Sequence, residues 1–107
     1  MLKGLGDLGQ IMKIQKEMKN VQKKITSARL EGESPNGSVK ATVTGEYRLV
    51  DLQIDESLLN GSDAGEIKRS IMSAVNDAVA KIKDYSAGEM EKLTGGLNIP
   101  GLGNFLK

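Results

Sequence analysis

Five lysines in one stretch are the residues of this chain whose type and spacing could do chemistry. Residues 12–25 read MKIQKEMKNVQKKI, and within them Lys13, Lys16, Lys19, Lys23 and Lys24 meet one acidic residue, Glu17. With Ile11 at heptad position a, Lys13 falls at c, Lys16 and Lys23 at f, Lys19 at b and Lys24 at g, so four of the five share the face opposite the apolar stripe. Such a face could track a polyanion by neutralising phosphates, without reading what lies between them. Lysine-rich helix faces are also ordinary solvated surface, and what sets this one apart is the shortage of acidic residues for i,i+4 pairing.

Other chemistries are poorly supplied. The chain has no Cys and no His. That removes thiolate ligands, a cysteine nucleophile, the commonest general acid-base group near neutral pH and the commonest metal ligand. Asp51, Asp55 and Glu56 are close in sequence, but Asp55-Glu56 ends a strand and opens a turn, and no third convergent ligand can be assigned, so neither a metal nor an acid-base site is expected. Gly32, Gly37 and Gly45 precede no Lys-Ser/Thr at a helix start and read as turn glycines rather than a phosphate loop. Catalysis is not expected, and neither is a cofactor.

The lysines need an element to hold them. Ile11, Ile14, Met18, Val21, Ile25 and Ala28 recur at steps of three and four, the stripe of a helix that packs along another helix. About 20 residues at 1.5 Å rise make a rod of roughly 30 Å, long for a small domain. Ile11, Ile14, Met18, Val21 and Ile25 are therefore assigned to core or dimer packing. The lead Gly4-Leu5-Gly6-Asp7-Leu8-Gly9 is punctuated by glycine and is placed outside the helix, as a loose segment over residues 1–9.

Beyond Ala28 the period changes. Val39, Ala41 and Val43 alternate with polar residues, and so do Val50, Leu52 and Ile54. Ser34-Pro35-Asn36-Gly37 and Gly45-Glu46 supply reversals, giving three antiparallel strands near 29–34, 37–44 and 47–54 in a meander. Lys40 and Arg48 lie on these strands and are expected to pair across them with Glu31 or Glu46. Asn60-Gly61-Ser62 then turns the chain, and Asp63 with Glu66 forms a capping box for a second helix. Its stripe runs through Ile67, Ile71, Ala74, Val75, Ala78, Val79, Ile82 and Tyr85. Asn76, one step from that stripe, is expected to fix register by a cross-element hydrogen bond. Gly88 weakens the last turns, Gly95-Gly96 ends the helix, and 95–107 is read as a loose tail.

Length and charge complete the frame. A chain of 107 residues with 38% apolar content and three aromatic residues is one small domain with a lean aliphatic core, for which self-association is a natural way to bury more surface. Residues 1–29 hold seven basic side chains against two acidic, 30–62 two against six, and 63–107 six against six. The basic part is the first helix, and the acidic sheet region is expected to keep nucleic acid off its surface. No apolar run approaches the roughly 18 to 20 residues that span a bilayer, so the expected class is soluble, cytosolic and homo-oligomeric.

At this level the residues resemble one family. Gly32-Glu33-Ser34 with Gly37, Val39, Val43 and Gly45, then Ile54-Asp55-Glu56-Ser57-Leu58-Leu59, Ala74-Val75-Asn76-Asp77-Ala78, Leu93-Thr94-Gly95-Gly96-Leu97 and Ile99-Pro100-Gly101 are similar, in order, to the YbaB/EbfC family of bacterial nucleoid-associated proteins. The resemblance implies an α+β subunit, with a long N-terminal helix, a three-stranded antiparallel β-meander and a long C-terminal helix. It also implies a homodimer whose helices project like tweezers and bind double-stranded DNA in the cytoplasm, at the nucleoid. DNA contact is then assigned to Lys13, Lys16, Lys19, Lys23 and Lys24. Members range from little sequence preference to preference for a short palindrome. The first helix offers Gln15, Asn20 and Gln22 but no Arg before Arg29, which favours sequence-tolerant binding. In the tweezer arrangement both terminal helices face DNA, whereas the second helix here is charge-balanced. A competing function is a protein-interaction or chaperone-like dimer that grips a partner with the helix stripe and the apolar tail.

Overall fold

The computed structural model describes the backbone of residues 2–97 and the side chains of 8–93. The order is α1 (Leu2–Ser27), β1 (Arg29–Glu33), β2 (Val39–Thr44), β3 (Leu49–Ile54), α2 (Glu56–Gly61) and α3 (Ala64–Leu97). The sheet is the expected antiparallel meander, β1-β2-β3. Arg29 lies opposite Thr44 and Glu33 opposite Lys40, while Val39 lies opposite Ile54 and Ala41 opposite Leu52. The register shifts between Thr42 and Val43, so that Val43 faces Leu49 and Val50 is the extra residue of a bulge.

Alternation on β2 supplies one half of the core and a helical stripe the other. Val39, Ala41 and Val43 point to one face and are buried, and Ala74, Ala78 and Ile82 of α3 are buried against them, joined by Leu58 from α2. The alanines allow α3 to lie close to the sheet. Closest approach comes at Gly32, where a Cβ would strike the backbone of Ala74 and Ala78, so no larger residue fits without moving the helix.

The hairpin between β1 and β2 is built by its predicted residues. The buried Ser34 hydroxyl accepts from the Val39 amide at 3.0 Å, and the Asn36 carboxamide oxygen accepts from the Ser38 amide at 3.1 Å. At the second turn the positive φ, 62°, falls on Tyr47. Gly45 serves a different need from a turn glycine. A Cβ there would strike the Ile25 carbonyl, and its amide donates to the Ala28 carbonyl at 3.1 Å. The end of α1 thus sits directly on the β2–β3 turn.

Several boundaries differ from the sequence reading. Helical backbone begins at Leu2, so the glycine-punctuated lead lies within α1. α3 continues through Gly88 and Gly95-Gly96 to Leu97, and Gly88 has open space around it. Residues 55–61 are not merely a turn. Asp55 caps a short helix by accepting from the Ser57 amide at 3.2 Å, which accounts structurally for one member of the acidic trio. Asp63 caps α3 as expected, accepting from the Glu66 amide at 2.7 Å. The tail from 98 to 107 lies outside the described residues.

Asn76 does not fix the register. It is exposed, and the neighbouring Asp77 makes the contact: its carboxylate accepts from the Glu33 amide at 2.9 Å and pairs with Lys81 at 3.2 Å. Lys81 also donates to the Glu31 carbonyl at 3.2 Å, so polar groups of strand β1 are satisfied by α3.

The chain is elongated. Its radius of gyration is 20.0 Å, against about 13 Å for a compact domain of this size. Among the described residues α1 adds none to the buried core cluster.

Candidate nucleic-acid interface

From Gln10 to Ser27 the chain contains no Gly or Pro and is rich in Lys, Gln, Met and Ile, which supports uninterrupted helix. In its last turn the Ser27 and Thr26 hydroxyls fold back on the helix and donate to the Lys23 carbonyl at 2.6 and 3.2 Å.

Lys13, Lys16, Lys19 and Lys23 are all exposed, and none forms an ion pair with a described carboxylate. From Lys13 to Lys23 the helix rises about 15 Å, over which one strand of a duplex presents four to five phosphates at about 3.4 Å each. Four unneutralised ammonium groups on that length match the charge density of a phosphate strand.

Lys24 is different. Its ammonium lies 3.2 Å from Glu89 Oε2 on α3, and Lys92 lies 3.5 Å from Oε1 of the same carboxylate. Glu89 is 6% exposed, a buried charge reached from two helices. Desolvation acts most strongly on its carboxyl and raises its pKa, but Lys24, then Lys92, outweigh that effect and the net direction is downward. Sequence reading missed this pair, although a signal was present: Glu89 continues the spacing of Ala78, Ile82 and Tyr85, and a carboxylate on an apolar stripe needs a cation.

The apolar side of α1 departs from expectation as well. Ile14, Val21 and Ile25 are half-buried, whereas Ile11 is 51% and Met18 46% exposed, so within one chain these five do not form a core. Leu8 and Met12 are exposed too, at 54% and 63%. Met12, Gln15, Lys16 and Lys19 border an open depression along the helix rather than a closed pocket.

Elsewhere charge is consumed in part: Lys40, Lys81 and Lys92 are paired, whereas Arg29, Lys68, Arg69 and Lys83 are exposed and make no ion pair among the described residues. Lys40 pairs with Glu33, directly opposite across the sheet at 3.9 Å, in place of the expected Glu31 or Glu46. Arg48 is exposed and makes no ion pair among the described residues, so the cross-strand partner expected for it is not found. On α3, Lys81 and Lys92 are held by Asp77 and Glu89. The described residues contain no cluster of three acidic side chains placed to hold a metal, and no helix among them is long and apolar enough to cross a membrane.

This arrangement has relatives. The chain is 39% identical over 93 residues to a nucleoid-associated protein of Clostridium acetobutylicum, covering 87% of this chain and 83% of that protein. It is 36% identical over 91 residues to a nucleoid-associated protein of Akkermansia muciniphila, covering 85% and 88%. The crystal structure of an uncharacterized protein from Helicobacter pylori superposes with a TM-score of 0.66 at 28% identity, covering 87% of this chain and 96% of that one. The family model of the YbaB/EbfC DNA-binding family matches residues 2–97, and on that evidence the chain belongs to this nucleoid-associated DNA-binding family.

Proposed function

We propose that this protein binds double-stranded DNA with little sequence preference, as a homodimer at the bacterial nucleoid, and does so without catalysis or a cofactor. The observation that carries the reading is the row of Lys13, Lys16, Lys19 and Lys23, exposed on one helix and unpaired with any described carboxylate. Lysine acts as a point charge, suited to phosphate and poor at discriminating bases, which supports sequence-tolerant binding. Lys24, held by Glu89, is left out of the phosphate set. α3 contributes less, because its five basic side chains are matched by five acidic ones and two of the five, Lys81 and Lys92, are paired, although Lys68, Arg69 and Lys83 are not.

Dimerisation is supported by the apolar residues that one chain leaves uncovered: Ile11 and Met18 on α1, Leu49 and Val50 on β3, and Met72 on α3. Light scattering on the purified protein decides it. A mass of two chains is expected, and a monodisperse monomer removes the dimer.

The DNA reading is tested by titrating duplexes of unrelated sequence with the parent and with a variant carrying Lys16→Gln, Lys19→Gln and Lys23→Gln. Uniform weakening across sequences supports it, and unchanged affinity removes these lysines from the mechanism. The exposed Leu8, Ile11, Met12 and Met18 favour a second reading, a module that grips a protein partner. Co-purifying proteins that survive nuclease treatment, together with no retention on a DNA column at physiological salt, would establish that alternative.

A further inference from the structure

Glu89 is the one carboxylate buried among the described residues. Lys92, three residues along the same helix, already supplies a cation to one of its oxygens, yet the other oxygen is met by Lys24 from a different helix. This is a tie between α1 and α3. The other fixed point of α1, the arm that carries the lysines, is its C-terminal end, where Gly45 presses against Ile25 and its amide bonds to the Ala28 carbonyl at 3.1 Å. Hydrocarbon does not fill the junction: a cleft of about 310 Å³, lined by Met18, Gln22, Ile25 and Met90 among others, lies between the arm and α3. A helix pinned at one end beside an unfilled cleft can pivot, and its direction is set by whatever second contact it makes.

We propose that Glu89 is a positioning residue for the DNA-binding arm: by holding Lys24 across the α1–α3 junction, it sets the angle at which Lys13, Lys16, Lys19 and Lys23 are presented. The functional half of this inference rests on the DNA-binding reading of α1; the geometric half does not. Charge and positioning predict opposite signs. Neutralising a carboxylate beside a DNA-binding helix removes repulsion and releases Lys24, so charge alone gives tighter binding. If Glu89 positions the arm, neutralising it gives weaker binding in spite of that gain.

The chain has no Cys, so introduced cysteines label uniquely. Spin labels at Gln10→Cys on α1 and Ala80→Cys on α3, both exposed sites, report the arm angle, with labelled protein diluted into unlabelled protein to isolate distances within one chain. For Glu89→Gln the distance distribution is expected to broaden. Duplex affinity should fall several-fold with an unchanged salt slope, because the four phosphate lysines remain. An unchanged distribution, or tighter binding, overturns the proposal. Should Glu89→Gln fail to fold, Lys24→Gln leaves Glu89 paired with Lys92 and decides by distance alone: broadening supports the tie, and a parental distribution overturns it. If the parent binds no duplex DNA, the reading of α1 fails, while the distances still judge the tie.

Discussion

Along the seams where its elements meet, the body of this protein treats charge in the opposite way to its arm, α1. In the body, Asp77 is answered by the Glu33 amide and Lys81, Lys40 by Glu33, and Glu89 by two lysines. On the arm, four lysines in succession have no described acidic partner, and apolar side chains beside them stand in water. Composition separates them in part, since residues 1–29 hold seven basic side chains against two acidic and residues 63–107 six against six. Context adds the rest: α3 lies on a sheet that supplies polar groups to its flank, whereas α1 meets the β2–β3 turn at its last turn. A region whose charges are satisfied internally is shaped for stability, and one whose charges are left over is shaped for a partner.

That contrast can be broken from the body side first. Gly32→Val drives a side chain into the backbone of α3 at Ala74 and Ala78, and loss of the cooperative thermal transition is expected by calorimetry. Ile82→Ala empties a fully buried site and is expected to cost about 2–5 kcal/mol in denaturant unfolding. In the arm, by contrast, Lys16→Gln with Lys19→Gln and Lys23→Gln should leave the melting temperature within error, since exposed side chains away from packing contribute little. A substantial fall in Tm would mean that the arm is structurally engaged.

A smaller effect concerns Asp77. The Glu33 amide first, and Lys81 second, hold its carboxyl below the ordinary aspartate range. A depressed folded-state pKa contributes stability that is present above the unfolded value and is lost as pH falls towards the folded one. The Tm difference between the parent and Asp77→Asn should therefore be steady near neutrality and shrink below about pH 4. Asn76→Ala, one residue away but exposed, should change nothing measurable.

Much of this was legible because it is local. Period-two alternation at Val39, Ala41 and Val43, the Asn36-Gly37 hairpin and the Asp63 cap each depend on residues a few positions apart, and all are in place. What escaped depended on distant partners. Gly45 reads as a turn glycine until the Ile25 carbonyl is seen against it, and nothing local distinguishes Asp77 from Asn76 as the residue that reaches β1. The five lysines look alike on a helical wheel. Only the fold sets Lys24 apart from the other four, since Glu89 lies 65 positions away in the chain.

The central claim, that the arm's leftover charge binds a phosphate backbone, is tested most directly by the salt dependence of duplex affinity. Each phosphate neutralised contributes about −0.9 to the slope of log affinity against log salt, so four lysines per arm give about −3.6 for one arm and about −7 for two. The triple lysine variant should fall to about −0.9 per arm. A parental slope near zero, or a variant slope equal to the parent's, would contradict the account.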